Sequence, residues 1–179
     1  MGRPGATARP SARTNGIELR RAGDADAAII AEIWLRSFRA TYDFPPAHPD
    51  EDVRRWVRED LVAGTETWVA VAETAGGAAA RIVAFMALDG DDLAQLYVDP
   101  GWLRRGIGSR LVDLAKARRR GGLGLYTFQV NAAARAFYAR HGFRVVWLGD
   151  GSANEERQPD LRLTWHPDST RQPAARAGR

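Results

Sequence analysis

Not one cysteine occurs in the 179 residues. That absence excludes disulfides, thiolate metal sites and an acyl-enzyme built on cysteine, although it does not settle the compartment. Histidine is scarce as well, at three. His48, set among prolines, has no His or Cys companion at ligand spacing, so no metal is expected. No apolar run approaches the 18 residues of a membrane span, and the N-terminus lacks the hydrophobic block of a secretion signal. Met1-Gly2 is not followed by Ser or Thr at position 6, so an acylated terminus is not indicated. A cytoplasmic protein without a membrane partner is the default expectation.

Acidic excess is also missing: the formal net charge is +4 and the isoelectric point about 10.1. Such basicity invites a nucleic-acid reading, so the location of the charge decides. Arg3, Arg9 and Arg13 put +3 into residues 1–15, and residues 167–179 carry a net +2, which leaves the body at −1. Both tails are rich in Ala, Pro, Gly, Ser, Thr and Arg, with hardly any large apolar residue, and are expected to be disordered. The basicity therefore belongs to solvated tails, and no nucleic-acid partner is expected. The body, residues 16–166, is 45% hydrophobic with the rest of the chain and long enough for one sizeable core.

The richest stretch is 93–108, LAQLYVDPGWLRRGIG. An apolar strand ends at Asp99-Pro100, a polar turn follows, and an amphipathic helix opens at Arg104-Arg105-Gly106-Ile107-Gly108-Ser109. Glycines there let a ligand approach the backbone, the first-turn N–H groups have no helical partner, and the helix dipole and two arginines favour an anion. Neither common phosphate motif fits, because a dinucleotide loop wants a third glycine where Leu111 stands, and a Walker loop wants a lysine before Ser109.

Around this loop the periodicity predicts an alternating α/β order. A strand over 17–20 precedes a helix capped by Asp24 and running to about Ala40, with Ile29, Ile33 and Phe38 inward. Three prolines make 42–49 a loop. A second helix covers 50–63, and strands over 68–73 and 81–88 flank a Gly76-Gly77 hairpin signal. The fourth strand leads into the glycine loop, and the third helix carries Ile107, Leu111, Leu114 and Ala115 on one side until Gly121-Gly122 stops it. A strand over 123–130, a helix over 131–141 and closing strands over 143–148 and 161–165 complete one domain.

Residues 131–143, NAAARAFYARHGF, match every fixed position of N-x-x-A-x-x-F-Y-x-x-x-G-F. Together with the strand, Gly-x-Gly loop and helix in that order, this segment resembles the GCN5-related N-acetyltransferase family. The resemblance can be followed from about Ile17 to Trp165. It implies an α/β fold with a single mixed central sheet of about seven strands and helices on both faces, splayed between the fourth and fifth strands to hold acetyl-CoA. It also implies acetyl transfer to a primary amine of a small molecule, peptide or protein, directly within a ternary complex. Backbone groups of Leu96, Tyr97 and Val98 would align the cofactor and polarise its carbonyl, and Arg104, Arg105, Gly106, Ile107, Gly108 and Ser109 would hold the pyrophosphate. Asn131 stands at a cofactor contact and Tyr138 at the tyrosine that protonates the leaving thiolate. Spacing adds that Asn131, Arg135 and Tyr138 share one helical face.

Each assignment has a structural rival. Asn131 is also a good helix cap, Tyr138 could be a core tyrosine, and Arg118-Arg119-Arg120 reads as a solvated cluster facing the helix dipole or as a contact to the 3′-phosphate of CoA. Leu103 replaces the family's usual Gln or Arg, which leaves the phosphates to backbone amides. A base is needed because an alkyl ammonium has no lone pair. Asp92 falls on the position where some members carry a carboxylate, though Asp91-Asp92 also reads as a hairpin turn after Gly90. Tyr126 stands where other members carry glutamate. The acceptor side should involve Trp34, Tyr42, Phe44, His48 and residues 149–159, where Glu155 and Glu156 either meet a cationic amine or form a solvated loop partnered by Arg157. Two other readings stay open: a non-catalytic CoA-binding module, and an adaptor that binds polyanions through its tails. Family precedent also leaves a homodimer open.

Overall fold

The computed structural model describes residues 16–73 and 80–167. The tails, apart from Pro167, and the Gly76-Gly77 turn lie outside the described residues.

Seven strands form one sheet in the order β1-β2-β3-β4-β5-β7-β6. They are β1 (Ile17–Arg21), β2 (Glu66–Ala72), β3 (Arg81–Asp89), β4 (Asp92–Val98), β5 (Leu123–Phe128), β6 (Arg144–Leu148) and β7 (Asp160–Trp165). Every neighbouring pair is antiparallel except β4 with β5. The helices are α1 (Ala27–Thr41), α2 (Asp50–Trp56), α3 (Ile107–Arg118) and α4 (Ala132–Arg140). β3 is buried continuously from Val83 to Leu88 because helices cover both faces of the sheet. Ile30, Ile33 and Phe38 of α1 meet Val57, Leu61 and Phe85 on one side. Leu111, Val112 and Ala115 of α3 meet Val83, Met86 and Leu125 on the other.

Several local expectations shift. α1 turns Ile30 inward and leaves Ile29 46% exposed, while Ile33 and Phe38 are buried as expected. Asp24 opens a single 3₁₀ turn, Asp24–Asp26, rather than capping α1. Asp26 instead reaches back to the Gly23 N–H (2.9 Å) and accepts from both terminal nitrogens of Arg20 (2.7 and 2.9 Å). The second helix is α-helical to Trp56 and widens to a π-helical turn over Val57–Val62. Of the arginine cluster, Arg118 and Arg120 stay exposed as expected, but Arg118 and Arg119 both bind Glu66 on β2 (2.6 and 2.9 Å), and Arg119 also donates to the Gly90 carbonyl (2.6 Å).

One irregularity shapes the middle of the sheet. Leu93 pairs with Leu88 and Gln95 with Ala87, so Ala94 is an extra residue in β4. Such a bulge reverses which way every later side chain and amide points. Leu93 lies in the α3 core before it; beyond it Gln95 meets Trp34 on the α1 side, Leu96 and Val98 return to the α3 core, and Tyr97 faces the α1 core. Before the bulge Gly124 donates to the Asp91 carbonyl (2.9 Å), which joins β4 to β5. After it Asp99 donates to Val83 on β3 (2.8 Å), so by alternation the Leu96 and Val98 amides face away from β3, into the space beside β5. The β4–β5 ladder accordingly consists of the pair Asp92↔Gly124, and the strands part beyond it.

Candidate functional site

The cleft between β4 and β5 is bounded at its wide end by the glycine loop. Asp99 fixes that end: its carboxylate is 6% exposed as a residue, accepts from Arg36 of α1 (2.8 Å) and the Gly101 N–H (3.0 Å), and lies 3.5 Å from Arg81. Burial would raise its pKa, but the Arg36 hydrogen bond, the Gly101 amide and the two guanidinium charges outweigh that and hold it below the usual carboxylate range. A 3₁₀ turn over Pro100–Trp102 follows. Arg104 (φ 61°) and Gly106 (φ 76°) then adopt left-handed backbone, which curls the chain so that successive amides gather around one concavity. Among the described residues, no acceptor pairs with the N–H groups of residues 106–109, whereas Arg110 N–H already bonds Gly106. Unpaired amides at the N-terminus of a twelve-residue helix form an anion cradle.

The side chains expected at this cradle divide. Gly106 is required by its dihedral and meets nothing that a Cβ would touch. Gly108 serves a contact: a Cβ there would sit 3.3 Å from the Phe137 ring of α4, so its small size lets α3 and α4 approach. Ile107 is buried in the core and offers its amide alone. The Ser109 hydroxyl shares a hydrogen bond with His141 Nε2 (3.0 Å). Arg105 lies over the Trp102 ring (4.5 Å), and Arg104 is exposed.

Along β4, Leu96 and Val98 present backbone to the cleft, and the Val98 carbonyl accepts from Ser37 of α1 (3.1 Å). Tyr97 departs from the expected trio, because the bulge commits its backbone to the β3 ladder. Its ring instead packs between Phe85 (5.7 Å) and Trp34 (5.8 Å) on the α1 side. Asn131 caps α4 through Oδ1, which accepts from Ala134 N–H (2.9 Å), while its Nδ2 donates to the Tyr42 hydroxyl (2.9 Å). Tyr138 packs between Phe137 and Phe143 (5.2 and 5.6 Å). Burial, with a smaller contribution from Tyr42, pushes its phenol far above the usual range, so it keeps its proton at physiological pH.

On the other face of β4 lies a cleft of about 580 Å³ between Trp34, Trp56, Gln95, His48 and the 149–159 loop. Trp34 donates to Gln95 (3.2 Å) at its floor, and Trp56 stands edge-on to Trp34 (6.4 Å). His48 Nε2 and Glu155 Oε2 meet at 3.0 Å and join the two loops across the mouth. Glu155 is therefore partnered by His48 and not by Arg157. Tyr42 and Phe44 fall in an aromatic pile with Phe128 beside this cleft (5.2 and 5.4 Å). Asp92, expected as a base, stands at the closed end of the splay with both oxygens held by Arg162 of β7 (2.8 and 3.2 Å). The pair packs over Gly124, where a Cβ would come within 2.2 Å of Asp92 Oδ1.

Comparison with known proteins agrees with this geometry. A family profile described as acetyltransferase (GNAT) domain matches residues 63–145. The peptidyl-lysine N-acetyltransferase YjaB of Salmonella typhimurium is 31% identical over 149 residues, covering 83% of this chain and 98% of its own. The chain belongs to the GCN5-related N-acetyltransferase family. Escherichia coli YiaC, also a peptidyl-lysine N-acetyltransferase, is 29% identical over 149 residues, covering 82% of this chain and 95% of its own. The solution structure of apo-form YjaB from Escherichia coli superposes with a TM-score of 0.68 at 29% identity, covering 83% and 97% of the two chains.

This member of the family is an acetyl-CoA-dependent N-acetyltransferase. The unpaired amides of its glycine loop and the open edge of β4 fit a pyrophosphate and an amide-bearing arm, and acetyl-CoA held there would supply the activated acyl group. Sequence reading missed three supports of the acetyltransferase site: the Asp99–Arg36 pair that anchors the loop, Ser37 on the Val98 carbonyl, and Tyr42 on Asn131. Asp99 was visible as the end of a strand before proline, but its partner lies 63 residues away. No helix among the described residues is long and apolar enough to cross a membrane.

Proposed function

We propose that this acetyltransferase modifies a primary amine on a lysine side chain of a peptide or protein, in the cytoplasm, by direct transfer within a ternary complex. The carrying observation is the tryptophan-walled cleft on the α1 face of β4, opposite the anion cradle, whose charged lining is mostly acidic: Asp52, Glu59, Asp60, Glu155 and Glu156 against Arg55. Aromatic walls suit the aliphatic stem of lysine, and the carboxylates suit its ammonium. The activity in the names of YjaB and YiaC supports the same acceptor class.

In this reading the amides of residues 106–109 hold the pyrophosphate. The Leu96 and Val98 backbone positions the acyl arm, and Asn131 braces α4 beside it. Tyr138, whose phenol stays protonated at neutral pH, can donate a proton to the departing thiolate but has no resting phenolate with which to deprotonate the incoming ammonium. Asp92 we place outside the chemistry, as the tie that closes the splay. The test is acetyl-CoA titration by calorimetry together with thiol release over blocked lysine peptides, free amino acids and polyamines. Release confined to polyamines or free amino acids would exclude a peptidyl acceptor, and failure to bind acetyl-CoA would remove the whole reading.

A further inference from the structure

Taking a proton from the acceptor is the one task for which the residues above provide no group. A lysine amine of pKa ~10.4 is unprotonated in about one molecule in 2,500 at pH 7. Tyr97 and Tyr138 keep their protons, because burial raises both. Both oxygens of Asp92 are occupied by Arg162. Position 126 offers an exposed tyrosine.

Among the carboxylates of the acceptor cleft, Glu156 stands apart. Glu155 is bound by His48 (3.0 Å), Asp52 by Arg55 (2.5 Å) and Glu59 by Arg58 (2.9 Å), while Asp60 is exposed. Glu156 is partly buried, and no cation among the described residues pairs with it. It lines the same cleft as Trp34, Trp56 and Gln95, and its charge is a minor contributor, well behind burial, to the raised pKa of Tyr42 and Tyr97. The loop beneath it is braced: Asn154 donates to the Gln158 carbonyl (2.7 Å) and accepts from its N–H (3.1 Å). Arg157 adopts left-handed backbone (φ 52°) directly after Glu156, a costly conformation for a residue with a side chain. A partly buried carboxylate on a braced, strained loop, without a cation of its own, is a place prepared for one that arrives.

We propose that Glu156 is the counter-ion of the acceptor ammonium and takes its proton. This rests on the lysine acceptor proposed above. The ammonium gives one proton to the Glu156 carboxylate, the nitrogen lone pair attacks the thioester carbon, and the C–N bond forms as the C–S bond breaks. Tyr138 protonates the departing sulfur and recovers a proton from the acylated nitrogen. Glu156 releases its proton to water, so ammonium and acetyl thioester become amide, thiol and one free proton.

The test compares wild type and Glu156→Gln on one N-terminally blocked peptide with a single lysine, from pH 6 to 10, with acetyl-CoA affinity measured for each. Glu156→Gln should bind acetyl-CoA as wild type does and lose about 100-fold in kcat/KM at pH 7. Its activity should then rise about tenfold per pH unit with the free-amine fraction and approach wild type near about pH 9. A Glu156→Gln enzyme within threefold of wild type at pH 7, or one whose deficit is the same at pH 7 and pH 10, overturns the proposal. A wild type that binds acetyl-CoA but leaves the peptide untouched overturns the lysine reading, and this inference with it.

Discussion

Asp92→Asn removes a charge from the β4–β5 ladder while keeping the shape of the side chain, and so separates a structural tie from a general base. The Asp92–Arg162 pair is bidentate, but the two side chains are 37% and 30% exposed, so water screens it. Exposed pairs contribute about 0.2–1 kcal/mol, and two-point geometry puts this one near the upper end, at about 1 kcal/mol. With a urea slope of about 2 kcal/mol per M, the midpoint should fall by about 0.5 M. A cycle with Arg162→Met should return a coupling of about 1 kcal/mol, and less at 1 M salt, where the Debye length is about 3 Å. The kcat on a lysine peptide should stay within about threefold of wild type, whereas loss of a general base would cost about 10²–10⁴. A hundredfold loss of kcat in Asp92→Asn, with Arg162→Met still active, would refute the assignment of Asp92 as a tie.

Gly106→Ala should cost about 1–2 kcal/mol in unfolding free energy and weaken acetyl-CoA binding, because φ 76° penalises a Cβ even where it meets no atom. Gly106→Asn should cost less, and calorimetry showing unchanged affinity for both would count against the cradle. Asp99→Asn should destabilise by about 1.5–3 kcal/mol at pH 7. Because the folded pKa of Asp99 is depressed, its stabilisation is present above the unfolded value of about 3.9 and disappears as pH falls through the folded one. Urea midpoints of wild type and variant should therefore converge as pH falls below the folded pKa, and a constant gap across pH would contradict this. Tyr138→Phe keeps the packing against Phe137 and Phe143, so acetyl-CoA affinity and melting temperature should hold while kcat falls about 10². Retained turnover would return Tyr138 to a purely structural role.

Much of the architecture could be read from short windows. Alternation predicts β2 and β3 on either side of their turn, and the stop at Gly121-Gly122 places the end of α3 within a few residues. The N-cap at Asn131 is likewise local, since Oδ1 bonds an amide three residues on. In α1, Ile33 and Phe38 turn inward as periodicity predicts, but Ile30 takes the place of Ile29, because the two are adjacent and equally apolar and periodicity alone does not say which turns inward.

What the chain determined by itself was the order of its elements, the left-handed glycine before α3 and the segment that marks the family, because each depends on dihedrals and spacings within a few residues. Only the tertiary structure decided what those elements present to one another. The bulge at Ala94 exists only against β3, yet it takes the Tyr97 backbone out of the cleft and points Leu96 and Val98 into it. Gly108 is explained by Phe137, 29 residues later, and Asp92 is neutralised by Arg162, 70 residues later. Glu155 and Glu156, adjacent in sequence, receive opposite circumstances because His48 reaches one and no cation among the described residues reaches the other. An unpaired charge or amide is defined by the partners it lacks, and partners brought from distant parts of the chain are set by packing.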